Sequence, residues 1–420
     1  MNENTLRVQV LETGQNAKKA ARELACLSGE QRQKAIAAMP EKLQQVKDRL
    51  FQINREEVIE ARGNGLPEFL VKRLEITDNV FTYMINRLEK VASLRDPLNR
   101  ILQGHEEPGG LMVQKISVPI GVIAIIYESR PSVTTDAASV CIKSGNAVIL
   151  RGGSESLRTN EVLTDAMVEA LKENDVPEYA IQIIRIPGHE AVSEMLKMDE
   201  CIDVLIPRGG KPLIQRIARG TRIPVIKHYE GICHLYLAED APPDMAVQIA
   251  VNSKCQRVEV CNALETLLID ERSAGYLLPD LVRAFGERQV HLRGCEKTRA
   301  IIRDIAEATE EDWVSEYLAP ILSIRIVNGL EQAIDHINKY GSAHTDGIVT
   351  QNMSLARQFV QAVDSASVLV NASTRLSGGG DYGMGAVVGI STDKIHARGP
   401  VGPEELTSYK WVAYGEGHIR

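Results

Sequence analysis

Beyond residue 120 the chain repeats one pattern. A short, almost wholly apolar run is followed by a segment whose apolar residues fall three and four apart. The runs are Val122–Tyr127, Ala147–Leu150, Ile181–Ile186, Val204–Ile206 and Pro224–Lys227. The segments between them are Val133–Lys143, Leu157–Glu173, Ala191–Met198 and Lys211–Arg219. The unit recurs about once every 25 to 30 residues. A strand with no polar face is buried on both sides, and consecutive parallel strands need a helical crossover of this length. The pattern therefore predicts a parallel sheet covered on both faces by helices. A second α/β region follows, with strands expected at Thr266–Asp270, Ile321–Val327, Asp346–Thr350 and Ser367–Asn371 and helices at Glu271–Gly286, Leu330–Lys339 and Ser354–Val363. A chain of 420 residues has room for two or three such domains. Aromatic residues make up only 4%, so the cores must be aliphatic.

The first hundred residues read differently. Asn16–Leu27, Gly29–Asp48, Leu50–Asn64 and Thr77–Ser93 carry helical periodicity, with Pro40 expected to interrupt or kink the second and Pro67 and Pro97 marking breaks. Gly109–Val118 alternates as a strand or hairpin does, and the glycine-rich tail from Gly378 ends in an alternating stretch at Trp411–Tyr414.

A formal charge of −8 argues against nucleic acid as a partner. Met1–Arg22 is polar and unlike a signal peptide, and no run is long enough to span a bilayer, so the reading is a protein of the cytoplasm without a membrane partner. The seven cysteines are scattered and read as reduced thiols. In the sequence the nine histidines do not cluster with them, and no metal site is expected.

Ligands of parallel sheets bind at the carboxyl ends of strands. Two expected strand ends carry arginine and paired glycines: Arg151-Gly152-Gly153, followed by Ser154, and Arg208-Gly209-Gly210. Glycine lets the backbone approach an anion, and a following helix offers free N–H groups, so both loops suit a nucleotide phosphate. Where an NAD site places an acid to hold the ribose, this chain has Arg151 with Glu155 displaced, which favours a 2′-phosphate and hence NADPH. Further on, Lys254-Cys255-Gln256-Arg257-Val258-Glu259-Val260-Cys261-Asn262 sets two thiols among two cations. Positive charge or a helix N-terminus lowers a thiol pKa, but these neighbours alone do not choose between Cys255 and Cys261.

Three stretches resemble the glutamate-5-semialdehyde dehydrogenases, or γ-glutamyl phosphate reductases, a branch of the aldehyde dehydrogenase superfamily. They are Val118-Pro119-Ile120-Gly121 through Glu128-Ser129-Arg130-Pro131 to Arg151-Gly152-Gly153; Asp203 through Pro207-Arg208-Gly209-Gly210; and Val370-Asn371-Ala372-Ser373-Thr374-Arg375 with the ending His396-Ala397-Arg398-Gly399-Pro400 and Leu406 through Trp411. The resemblance covers nearly the whole chain. It implies an aldehyde dehydrogenase-like α/β fold of two doubly wound parallel-sheet domains plus a small β oligomerisation arm. The cofactor domain would take 1–108 and 120–230, the catalytic domain 231–372, and the arm 109–119 and 395–420.

The family's nucleophile, in a Cys-Asn-x-x-Glu-Thr setting, falls on Cys261, which the resemblance thus separates from Cys255. Glu316, before Tyr317 and near Pro320, resembles the glutamate that holds the nicotinamide ribose. Arg130, Ser132, Asn262, Arg375 and Arg398 are the implied substrate residues. Ser132 stands where the family usually has asparagine, so the oxyanion donor passes to Ser132 or to backbone N–H groups such as that of Cys261. Lys227-His228-Tyr229-Glu230-Gly231 only weakly matches the segment whose glutamate activates water in oxidative members, which suits a reductase.

The implied reaction is NADPH-dependent reduction of L-glutamyl 5-phosphate to the 5-semialdehyde through a cysteine thioester, in proline biosynthesis. The implied partners are a second copy of the chain, in a dimer or tetramer, and the glutamate 5-kinase that supplies the substrate. The rivals are another aldehyde dehydrogenase or acyl reductase of the superfamily, and a catalytically silent binding protein on the same fold.

Overall fold

A computed structural model describes residues 3–420; Met1 and Asn2, the start of the polar N-terminal stretch, lie outside the described residues. The chain separates into two compact units. The first runs up to Lys227 and takes in Gly383–Gly389 and Val401–Arg420; the second is His228–Tyr382 with Ile390–Pro400.

In the first unit the sheet has four parallel strands in the spatial order Ile181–Ile183, Ala147–Arg151, Val122–Tyr127, Val204–Arg208. Along the chain that order is third, second, first, fourth, so it reverses beside Val122–Tyr127 and opens a crevice at the strands' carboxyl ends. Val122–Tyr127 is buried at all six positions because both faces are covered. Val122, Ala124 and Ile126 pack with Leu6, Val10, Ala17 and Ala21 of the first helix, Glu3–Leu24. Helices Ser132–Lys143 and Leu157–Glu173 contact this sheet, and Gly29–Gln45 packs against both of them.

The helix at Gly29–Gln45 opens with a reciprocal cap, in which Ser28 Oγ accepts the Gln31 N–H and Gln31 answers on the Ser28 N–H. It continues past Pro40 to Gln45 rather than ending there. Pro224–Lys227, expected as a fifth strand, is reduced to a single bridge between Val225 and Leu205.

A separate antiparallel sheet joins Ile101–Glu106, Met112–Pro119 and Thr407–Tyr414. Its first strand, missed in the sequence because it lies within a mostly helical stretch, is exposed throughout.

In the second unit seven parallel strands stand in the order Ala306–Glu307, His291–Gly294, Ile321–Val327, Leu264–Asp270, Cys233–Leu237, Thr345–Val349, Ser367–Val370. One face packs Leu235, Leu237, Leu264, Leu267 and Ile324; the other packs Tyr236, Leu268, Val327 and Ile348. The central strand Cys233–Leu237 went unread because it contains His234. That ring is wholly buried and is paired through Nδ1 to Asp346 on the adjacent strand at 2.9 Å. A buried hydrogen-bonded pair between neighbouring strands thus conceals the apolar signature of Cys233–Leu237.

Candidate active site

In the first unit the carboxyl strand ends bring Tyr127, Arg151 and Arg208 side by side. Behind them lies a buried polar chain with no signature in the residue pattern. Tyr127 Oη and Thr134 Oγ1 are 2.6 Å apart, Thr134 donates to Asn160 Oδ1 at 3.1 Å, and Asn160 donates to Ser156 Oγ at 3.0 Å. This network backs the first glycine loop: a Cβ on Gly152 would lie 2.2 Å from Asn160 Nδ2. No side chain fits there, because Asn160 and Tyr127 already fill the space beside the Gly152 backbone, so only glycine allows this close packing. The Arg151 guanidinium, nearly buried, donates to the Gly188 carbonyl at 2.9 Å and to the Gly152 carbonyl. It therefore braces the loop, while its Nε is buried with no hydrogen-bond partner. Glu155 is held away by the Ser129 N–H and hydroxyl.

The second glycine loop differs from expectation. Its Gly210 N–H, at the start of helix Lys211–Gly220, already donates to Glu128 Oε2 at 2.9 Å. A carboxylate of the chain itself occupies the place expected for a phosphate. Ser132 opens helix Ser132–Lys143, directly after Arg130-Pro131.

In the second unit Cys261 lies in a turn between helix Pro243–Cys255 and strand Leu264–Asp270. No helix begins there, so the thiol has no helix N-terminus to lower its pKa. The two cations beside it in sequence are also engaged elsewhere. Lys254, wholly buried, pairs with buried Glu265 at 2.6 Å, and Arg257 pairs with Glu259 at 2.8 Å. Burial raises the Glu265 carboxyl to about 7, despite the lowering effect of Lys254. Cys255 is half-buried, and burial pushes its thiol up.

Two histidines from distant parts of the chain stand beside the thiol instead. The ligating atoms of His228, Cys261 and His344 all lie within 4.8 Å of one another. This corrects the expectation that histidines and cysteines stay apart. His228 stands five residues before strand Cys233–Leu237, and His344 immediately precedes Thr345–Val349. Both strands belong to the sheet that Cys261 abuts, and all three residues gather at its amino edge. These residues stand at the amino ends of their strands, not at the carboxyl ends where the sequence placed the two glycine loops.

The backbone approach is very close. A Cβ on Gly231 would lie 1.7 Å from the Cys261 carbonyl oxygen. The Gly231 N–H donates to Glu316 Oε1 at 2.9 Å, which brings Glu316 next to the same segment. The buried Cys233 thiol donates to the Cys261 carbonyl at 3.2 Å. Asn262 accepts from Arg375 Nη1 and donates to Ser377 Oγ at 3.3 Å. Arg375 also donates to Gln256 at 2.9 Å, so it is drawn to the cysteine turn. Arg398 is not among these residues: its Nη1 pairs with Asp364 at 2.9 Å and its Nη2 donates to the Asp364 carbonyl.

The sequence profile of the aldehyde dehydrogenase family matches residues 4–302 and 298–383. The chain is 41% identical to a γ-glutamyl phosphate reductase of Thermotoga maritima, covering 98% of this chain and 99% of that one, with a TM-score of 0.95. It is 30% identical to a γ-glutamyl phosphate reductase of Saccharomyces cerevisiae, covering 98% of each chain, with a TM-score of 0.54. An acetylating aldehyde dehydrogenase of Geobacillus thermoglucosidasius shares the fold, at 20% identity, 100% and 99% coverage and a TM-score of 0.72.

Proposed function

The chain belongs to the aldehyde dehydrogenase family, and we propose that it reduces L-glutamyl 5-phosphate to L-glutamate 5-semialdehyde with release of phosphate, as a step of proline biosynthesis. The observation that carries the reading is Cys261 in a half-exposed turn beside His228 and His344, in a chain that follows two γ-glutamyl phosphate reductases over almost its full length.

The Cys261 thiolate attacks the γ-carbonyl carbon, the bond to the phosphate oxygen breaks, and a thioester forms. His228 takes the thiol proton. Its Nδ1 faces the Ile390 carbonyl at 2.8 Å, and a carbonyl can only accept, so in the neutral ring Nε2 keeps the lone pair. The Cys261 N–H is the assigned donor to the oxyanion, because the Asn262 amide is turned onto Ser377. Arg375 is the assigned partner of the anionic substrate. Arg130 and Ser132 keep that assignment on their motif alone, and Arg398 loses it to Asp364.

Family members use nicotinamide cofactors. We assign NADPH: the strand-end loop of Arg151, Gly152, Gly153 and Ser154 would hold its phosphates, Arg208 and Gly209 would line the same crevice, and Glu316 would hold the ribose on the nicotinamide side. When bound, it supplies the hydride that reduces the thioester. Collapse of the resulting oxyanion then expels the Cys261 thiolate and frees the aldehyde.

The exposed sheet carrying Tyr409, Trp411 and Tyr414 suits pairing with a second copy, in a dimer or tetramer. Among the described residues no helix is long and apolar enough to cross a membrane. A cytoplasmic setting beside the kinase that makes the labile acyl phosphate completes the reading.

The test is phosphate-dependent reduction of NADP+ by glutamate semialdehyde. Wild-type protein should show it and Cys261→Ser should lose it; a fully active Cys261→Ser protein overturns the proposal.

A further inference from the structure

Cys261, His228 and His344 form a donor set of one sulfur and two imidazole nitrogens. The two rings meet edge to face with centroids 5.5 Å apart. Each is oriented by a hydrogen bond at Nδ1, His228 to the Ile390 carbonyl at 2.8 Å and His344 to Thr345 Oγ1 at 2.9 Å. Metal-binding histidines are held in this way, with the second nitrogen turned toward the ion. Thr345 is held in turn by Ser377 at 2.9 Å, so the His344 ring is braced through two side chains. His344 is wholly buried, whereas His228 and Cys261 are half-exposed, which leaves a route in from solvent. A thiolate with two imidazoles selects zinc and related soft cations over magnesium or calcium, which prefer oxygen.

We propose that Cys261, His228 and His344 bind a thiophilic divalent cation, zinc above all, and that the bound ion reversibly caps the nucleophile. The capping rests on reading Cys261 as the nucleophile; the binding does not. Around a tetrahedral zinc, sulfur and nitrogen ligands at about 2.3 and 2.0 Å stand about 3.5 Å apart. From a limit of 4.8 Å each sulfur–nitrogen pair needs to close by at most about 1.3 Å and the two nitrogens, about 3.3 Å apart around zinc, by at most about 1.5 Å, within reach of side-chain rotations at Cys261 and His228. Water fills the fourth position. On binding, the Cys261 S–H bond breaks, the sulfur pair forms the S–Zn bond, and one proton leaves to solvent. No electron is transferred.

The experiment uses the full chain with Co2+ as a spectroscopic probe. Expected are a near-ultraviolet sulfur-to-cobalt band and visible bands of tetrahedral intensity, at one ion and one released proton per chain. Cys261→Ser should abolish the bands, Cys295→Ser should keep them, and His228→Asn and His344→Asn should each weaken binding about tenfold or more. Zn2+ should bleach the bands and inhibit catalysis, and a chelator should restore the activity. Absence of bands, bands that survive Cys261→Ser, or binding indifferent to both histidine changes overturns the site. If cobalt binds as expected but zinc-loaded protein keeps full activity, the capping and the nucleophile reading fail while the site stands. If no cobalt binds and Cys261→Ser is inactive, the site fails and the nucleophile reading stands.

Discussion

Replacing Lys254 by methionine isolates the contribution of the buried charge beneath the cysteine turn. Lys254 Nζ and Glu265 Oε2 are 2.6 Å apart, at 0% and 1% side-chain exposure, and Glu265 Oε1 also accepts the Leu318 N–H at 3.3 Å. Methionine keeps the volume and removes the cation, stranding a carboxyl in the core. Breaking a buried pair from one side costs about 3–5 kcal/mol.

The chain has two tryptophans, and Trp313 is buried in the second unit at 4% exposure. In a Trp411→Phe background, Trp313 fluorescence therefore reports the unfolding of that unit alone. With a urea slope of about 2 kcal/mol/M, the midpoint should fall by about 1.5–2.5 M. Glu265 is already raised to about 7 by burial, and loss of Lys254 raises it further. A carboxyl whose folded pKa lies above its unfolded value loses stability as pH rises through the folded value. The deficit should therefore be smaller at pH 6 than at pH 8.5, by about 1.4 kcal/mol for each pH unit across the titration. The double change Lys254→Met with Glu265→Leu should recover most of the loss, because a matched apolar pair replaces a buried ion pair at little cost. A midpoint shift below about 0.5 M, or a double variant as unstable as the single one, would refute the reasoning.

Gly231→Ala drives a Cβ into the Cys261 carbonyl, so the nucleophile must move; kcat should fall about 100-fold, and a kcat within about threefold of wild type would contradict this. Burial by itself would raise Asp312, but hydrogen bonds from the Thr309 N–H, the Tyr317 hydroxyl and Arg293 outweigh it and hold the carboxyl below its usual range. Its stabilisation is therefore present above about pH 4 and lost as pH falls through the depressed value, so Asp312→Asn should be less stable than wild type at pH 6, with the gap closing in acid when urea melts of Trp313 are run across pH.

The apolar runs at Val122–Tyr127 and Ile321–Val327 announced their strands because burial on both faces leaves only one composition acceptable. The Arg151 loop was visible for a related reason, since only glycine fits against Asn160. Strand Cys233–Leu237 was hidden, because its buried His234 is made tolerable by Asp346, more than a hundred residues away. Cys261 could be told from Cys255 only through the motif around it. Its neighbours in sequence suggested Lys254 and Arg257 as activating cations, and the fold commits both to carboxylates.

Hydrophobic periodicity is a local property, so the sequence alone determined the apolar strands and amphipathic helices, the two α/β regions and the glycine loops at their strand ends. The parallel order of strands is not local. It sets the starts of Cys233–Leu237, Leu264–Asp270 and Thr345–Val349 side by side and so brings His228, Cys261 and His344 together. The electrostatic setting of the thiol was therefore decided only by tertiary structure, because interactions between charges and donors depend on distance through space, which separation along the chain does not give.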